Sequence, residues 1–183
     1  MPFNLLFVCT GNTCRSPMAE VMMRDLASAT IPEGELVISS AGTAAFSGDQ
    51  ASPQAVEAMA RRGLDLNGHK ARPLEEDLLR QADLLLTMTR GQKEYLIGKY
   101  PWVAAKTFTL KEFTSGAGND IAASADSPGG KRSDPDREGL DVSDPYGDSL
   151  ERYLATAQEI EEHLRRLLSR WTRKGFTRTV ELP

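Results

Sequence analysis

Cysteine and histidine are scarce in this chain of 183 residues, which carries two of each: Cys9, Cys14, His69 and His163. Two cysteines cannot close a zinc site alone, and neither histidine stands at the short ligand spacing that would complete one. One close pair of cysteines is also no disulfide framework of a secreted domain. Long hydrophobic runs are missing too, and none approaches the roughly 20 residues of a membrane span. The opening "MPFNLLFV" lacks a basic start and a small-residue cleavage site, so it reads as a strand and not as a signal peptide. Nor is there an excess of positive charge. The net charge is −4 and the pI about 5.3, which leaves no electrostatic footprint for nucleic acid. The one basic cluster, Arg170, Arg173, Lys174 and Arg178, reads as a solvated helix end. These absences lead to the expectation of a protein in a reducing cytoplasm, bound to neither nucleic acid nor membrane; a monomer is expected as well, though no sequence feature specifies it.

What is present fits a single domain with a sizeable core. Leu5 to Val8 is a short apolar run, as in a strand buried on both faces of a parallel sheet. Ser16 and Pro17 follow as an N-cap and a first-turn proline, and Met18, Met22 and Leu26 continue at helical spacing. A second strand is read at 35–42. A helix opens at Ser52-Pro53, carries Val56, Met59 and Ala60, and stops at Gly63. A third strand spans 83–88, a helix about 90–99, and a fourth strand 106–110. The last helix covers about 149–171, where Leu150, Tyr153, Leu154, Ala157, Ile160, Leu164, Leu167, Leu168 and Trp171 form one apolar stripe. This alternation predicts an α/β fold: one parallel sheet of about four strands with helices on both faces. The expected domain is 1–171, with a long loop at about 114–143 and a tail at 172–183.

The segment "VCTGNTCRSP" (8–17) lies where the first strand turns into the first helix, a place where such folds bind ligands. Successive backbone N–H groups in a tight loop make an anion-binding nest, and a helix N-terminus adds positive potential. Gly11 allows close approach of the backbone, and the planar fork of Arg15 matches two phosphate oxygens. Thr10, Gly11, Asn12, Thr13, Cys14, Arg15 and Ser16 are therefore the candidate phosphate-binding residues, with Cys9 beneath them as nucleophile. The same field favours a thiolate, and Ser16 is placed to give it a hydrogen bond. The competing readings are a small buried hydrophobe at Cys9 and a nucleotide-binding loop, the latter lacking its Gly-Lys-Ser/Thr ending.

With these residues in view, "VCTGNTCRSPMAE" resembles the signature loop of the low-molecular-weight protein tyrosine phosphatase family. "SAGT" (40–43), "ASPQAVEAMARRGLDLNGHKARPL" (51–74), "ADLLLTMT" (82–89) and "DPYGDSLERY" (144–153) fall in family order. The loop at 114–143 departs by its length. The resemblance implies a flavodoxin-like fold and a two-step reaction without metal or cofactor, acting on phosphorylated proteins. Cys9 would form a cysteinyl-phosphate, Arg15 would hold the phosphoryl oxygens, and an aspartate would serve as acid and then as base. Of the two Asp-Pro pairs, Asp134-Pro135 sits in the charged run "KRSDPDRE", whereas Asp144-Pro145 precedes an aromatic and a helix, as in the family. Asp144 is taken as the acid and Tyr146 as part of the pocket wall. Asn12 would fix the loop, His69 would support it through Ser16 and Asn12, and Cys14 would be either a neutral loop residue or, as the family also uses this position, the partner of Cys9 in a protective reversible disulfide. Thr13 resembles the protein arginine phosphatase branch, where tyrosine phosphatases carry a bulkier aliphatic residue. Thr89 in place of aspartate, and a single aromatic before Gly147, point the same way. The expected substrate is phosphoarginine on proteins, with phosphotyrosine as the alternative. Arsenate reduction and non-catalytic phosphate binding rank lower, because no further cysteine exists and Cys9, Arg15 and Asp144 are all present.

Overall fold

A computed structural model describes residues 1–115 and 139–173. Four strands, β1 (Phe3–Cys9), β2 (Leu36–Gly42), β3 (Leu84–Thr87) and β4 (Thr107–Thr109), form one sheet in the order β2-β1-β3-β4. All pairings are parallel, and Cys9 lies opposite Gly42 while Val8 lies opposite Thr87. The strands therefore end on one edge of the sheet, and their following loops gather there.

Side chains along β1 alternate between faces, as the pleat requires. Leu5, Phe7 and Cys9 enter the larger core, while Leu6 and Val8 enter the smaller one. Against the larger core pack α1 (Arg15–Ser28), α2 (Pro53–Ala60) and α6 (Leu150–Arg173). The smaller core is covered by α3 (Glu76–Gln81), α4 (Arg90–Lys99) and a 3-10 turn at Pro101–Lys106. A short α5 (Leu110–Ser115) follows β4. The architecture is the α/β fold expected from the sequence, with helices on both faces.

Several boundaries differ from that expectation for local reasons. The N-cap of α1 is Cys14, which makes no side-chain cap, and Ser16 lies inside the first turn with its hydroxyl turned to Cys9. Ser52 does cap α2 by accepting the Ala55 N–H, with Pro53 in the first turn. Past α2, Gly63 takes φ +73°, a left-handed conformation that glycine adopts without strain. Thr114 and Ser115 close α5, and α6 continues to Arg173. Arg170 is exposed near the end of α6, as expected, and also donates to the carbonyl of Phe113 and lies 5.5 Å over that ring. Lys174 and Arg178 lie outside the described residues, as does Asp134.

Candidate active site

Between β1 and α1 the chain bends around Asn12, whose φ of 54° is positive, a region that asparagine tolerates better than most residues. The bend turns the Asn12 N–H toward Cys9 Sγ at 3.3 Å. The Asn12 side chain is spent completely. Its Nδ2 donates to Ser16 Oγ and Ser40 Oγ at 2.9 Å each, and its Oδ1 accepts the Arg72 N–H at 3.0 Å. Ser40 in turn donates to Glu20, which pairs with Arg24 at 2.6 Å. Ser16 Oγ, which accepts from Asn12, lies 2.9 Å from Cys9 Sγ, and its hydroxyl can donate to that sulfur once Cys9 is a thiolate.

His69 Nε2 donates to the Asn12 carbonyl at 2.7 Å, so it reaches Ser16 only by way of Asn12. Opposite Cys9 on β2 stands Gly42, where a Cβ would lie 2.5 Å from the Thr10 carbonyl oxygen and 2.9 Å from the Asn12 nitrogen. No larger residue fits there without displacing the loop.

Arg15 is buried, and its guanidinium crosses to the segment before α6. Nη2 donates to Asp144 Oδ2 at 2.7 Å and Nη1 to the Val142 carbonyl at 3.3 Å. Its Nε is buried without a partner. Asp144 is half exposed, and its other oxygen accepts the Tyr146 N–H at 3.1 Å. The turn between them continues with the Asp148 N–H donating to the Pro145 carbonyl.

Above this floor opens a cavity of about 640 Å³, lined among others by Cys9, Gly11, Thr13, Arg15, Asp144 and Tyr146. Asn12 and Ser16 are absent from its lining; they lie buried behind the loop. The structure thus brings together Cys9, Thr10, Gly11, Thr13, Cys14, Arg15, Asp144 and Tyr146 at one opening. Tyr146 is the single aromatic of its segment, and a second exposed aromatic, Phe46, joins it on the lining from the loop after β2. Thr89 is not on the lining, and its hydroxyl caps α4 by accepting the Gln92 N–H.

Cys14 also lines the cavity. Its S–H donates to Ser52 Oγ at 3.4 Å, and the hydroxyl of Tyr153 lies 3.3 Å from its sulfur. Burial, and then the bond to Cys14, pushes the Tyr153 phenol up to about 12, so it remains a neutral hydroxyl. Both cysteines are free thiols. Ser40, Glu20, Arg72, Gly42, Gln92 and Phe46 escaped the sequence reading. Ser40, Gly42, Glu20 and Arg72 lie inside the segments that carry the family resemblance, whereas Gln92 and Phe46 lie outside them.

Known proteins place this geometry in context. Residues 4–133 match the family model described as low molecular weight phosphotyrosine protein phosphatase. A protein-arginine-phosphatase of Bacillus subtilis (strain 168) is 38% identical over 165 residues, covering 90% of this chain and 93% of the relative. A probable low molecular weight protein-tyrosine-phosphatase, EpsP of Ralstonia nicotianae, is 34% identical over 167 residues, covering 91% and 92%. Among solved structures, a YwlE arginine phosphatase cysteine-to-serine variant with a phosphorylated active-site serine superposes with a TM-score of 0.76. It is 36% identical, and the match covers 94% of this chain and 98% of that one. Sequence, fold and the loop around Cys9 agree, and the chain belongs to the low-molecular-weight protein tyrosine phosphatase family.

Proposed function

We propose that this protein is a phosphatase that removes phosphate from phosphoarginine in proteins through a cysteinyl-phosphate. The observation that supports the phosphatase reading is Arg15: it lines the cavity together with Cys9, is tied to Asp144, and keeps a buried Nε without a partner until the guanidinium swings toward a phosphoryl group. A buried donor without an acceptor is costly, and a phosphoryl oxygen would satisfy it. In this mechanism Cys9 Sγ attacks phosphorus while the P–N bond breaks, and Asp144 gives its proton to the leaving guanidine nitrogen. Asp144 then takes a proton from water as that water attacks the phosphocysteine, releasing phosphate and the thiolate. Thr10, Gly11, Thr13 and the loop amides hold the equatorial oxygens together with Arg15. Asn12, Ser16 and His69 keep the loop in shape.

Thr13 supports the arginine reading: it lines the cavity with a short, partly polar side chain. The carboxylate of Asp144 can also pair with a guanidinium, a charge-assisted contact that a phenol does not offer. The relatives named arginine phosphatases support it as well. Phosphotyrosine is the second reading, favoured by Phe46 and Tyr146, which stand at the mouth where a phenol ring would pass. Cys14 is proposed as a redox guard. Peroxide would oxidise Cys9 to a sulfenic acid, and the Cys14 thiol would displace water from it to form the disulfide. The domain spans 1–171 in this reading, and its substrates are phosphorylated proteins.

The deciding experiment compares kcat/KM for phosphoarginine- and phosphotyrosine-bearing proteins side by side, with Cys9→Ser as the inactive control. A preference for phosphoarginine that shifts toward phosphotyrosine in Thr13→Ile is the expected result. An unchanged ratio in that variant removes the specificity argument, and full activity of Cys9→Ser removes the mechanism.

A further inference from the structure

We propose that Arg90 and Asp141 are positioning residues: their ion pair at the first turn of α4 holds the Asp144 segment in register with the phosphate loop. The inference rests on the phosphatase reading above. Asp141 Oδ1 accepts from the Arg90 backbone N–H at 2.7 Å and from Nε at 3.3 Å, while Oδ2 accepts from Nη2 at 3.4 Å. The carboxylate therefore sits on a free amide at a helix N-terminus, where negative charge is favoured, with the guanidinium beside it. One residue further on, the Val142 N–H donates to the Met88 carbonyl at 2.8 Å. Asp144 follows two residues later.

The same turn of α4 grips the other half of the site. Gln92 Nε2 donates to Thr10 Oγ1 at 3.1 Å, and its Oε1 accepts the N–H groups of Met88 and Thr89 at 3.0 Å each. A single rigid junction thus holds the phosphate loop through Gln92 and the acid segment through Arg90. Its importance grows when substrate arrives. Arg15 must then turn toward the phosphate, and the 2.7 Å bond that ties Asp144 in place is lost. What remains upstream of the acid is Val142 and the Asp141–Arg90 pair. The side chains of this pair are 38% and 41% exposed, and pairs so exposed add little to stability, so its removal spares the fold.

The test measures kcat/KM on a series of aryl monophosphates, from dinitrophenyl to unsubstituted phenyl, for the full chain and for Arg90→Ala, Asp141→Asn and Asp141→Ala. A poor leaving group needs the acid, and a good one does not. Asp141→Ala is expected to lose about tenfold on phenyl phosphate and less than about twofold on dinitrophenyl phosphate, a fraction of the usual acid contribution. Arg90→Ala and Asp141→Asn keep the amide bond and should fall between Asp141→Ala and the parent. Should Asp141→Ala fail to fold, Arg90→Ala carries the comparison. A slope equal to the parent's, whether the rates are unchanged or uniformly lowered, overturns the inference while leaving the phosphatase reading intact. A parent chain that hydrolyses neither this series nor a phosphoarginine-bearing protein overturns the phosphatase reading itself, and this inference with it; if only phosphoarginine is hydrolysed, the variants are compared there, and a kcat equal to the parent's overturns the inference.

Discussion

Ser16 has one hydrogen to give, and its hydroxyl lies between the Asn12 amide and Cys9 Sγ. The Asn12 amide donates to Ser16 Oγ and so orients the side chain, and a Cys9 thiolate 2.9 Å away can only accept from the hydroxyl. Hydrogen bonds to a charged group contribute about 1.5–3 kcal/mol, so Ser16→Ala should lower turnover about ten- to a hundredfold. Steady-state kcat on an aryl phosphate measures this, and a loss below twofold would mean that the hydroxyl does not serve the sulfur. The sequence showed Cys9, Arg15 and Ser16 because all three lie within eight residues of one another. It did not show Ser40, 28 residues from Asn12, or Arg72, 60 residues away, because only the folded chain brings them together.

Among the elements, long amphipathic ones were legible and short ones were not. The stripe from Leu150 to Trp171 is α6, because nine apolar residues at helical spacing have only one face to share. Helices α3 and α5, six residues each, carry too little periodicity to announce themselves. Where α5 meets α6, Thr114 Oγ1 and His163 Nδ1 are hydrogen-bonded. Burial, and then the cations of Arg166 and Lys111, holds His163 below its ordinary value of 6.5. The unfolded chain therefore binds the proton more readily than the folded one. The stability that this neutral histidine supports is complete above pH 6.5 and is lost as pH falls through the folded value. Thermal unfolding between pH 7.5 and 5 should show an acid-side decline in Tm that His163→Asn makes shallower. Parallel declines in the two proteins would count against this account.

At the level of the whole molecule, the parallel sheet explains why residues far apart in sequence meet. Every strand points its carboxyl end at the same edge, so loops after β1, β2 and β3 converge with the segment before α6. Strand alternation revealed that edge, but the partners across it, such as Arg90 with Asp141, depend on loop paths that no periodicity encodes. The larger core supports the edge from below, and Leu164 is fully buried in it. Leu164→Ala should cost about 2–5 kcal/mol, seen as a lower urea midpoint with the same m-value. A shift under 1 kcal/mol would show that α6 is not part of that support. The ion pair between Arg15 and Asp144 has a further consequence, one of valence. Arg15 meets its ligand with its charge already in use, so binding is an exchange of anions and not the filling of an empty place. A chloride ion brings no more charge than the tethered carboxylate it would displace, while a phosphoryl dianion brings twice as much. The pocket therefore sorts anions by charge before any side chain at its mouth can sort them by shape.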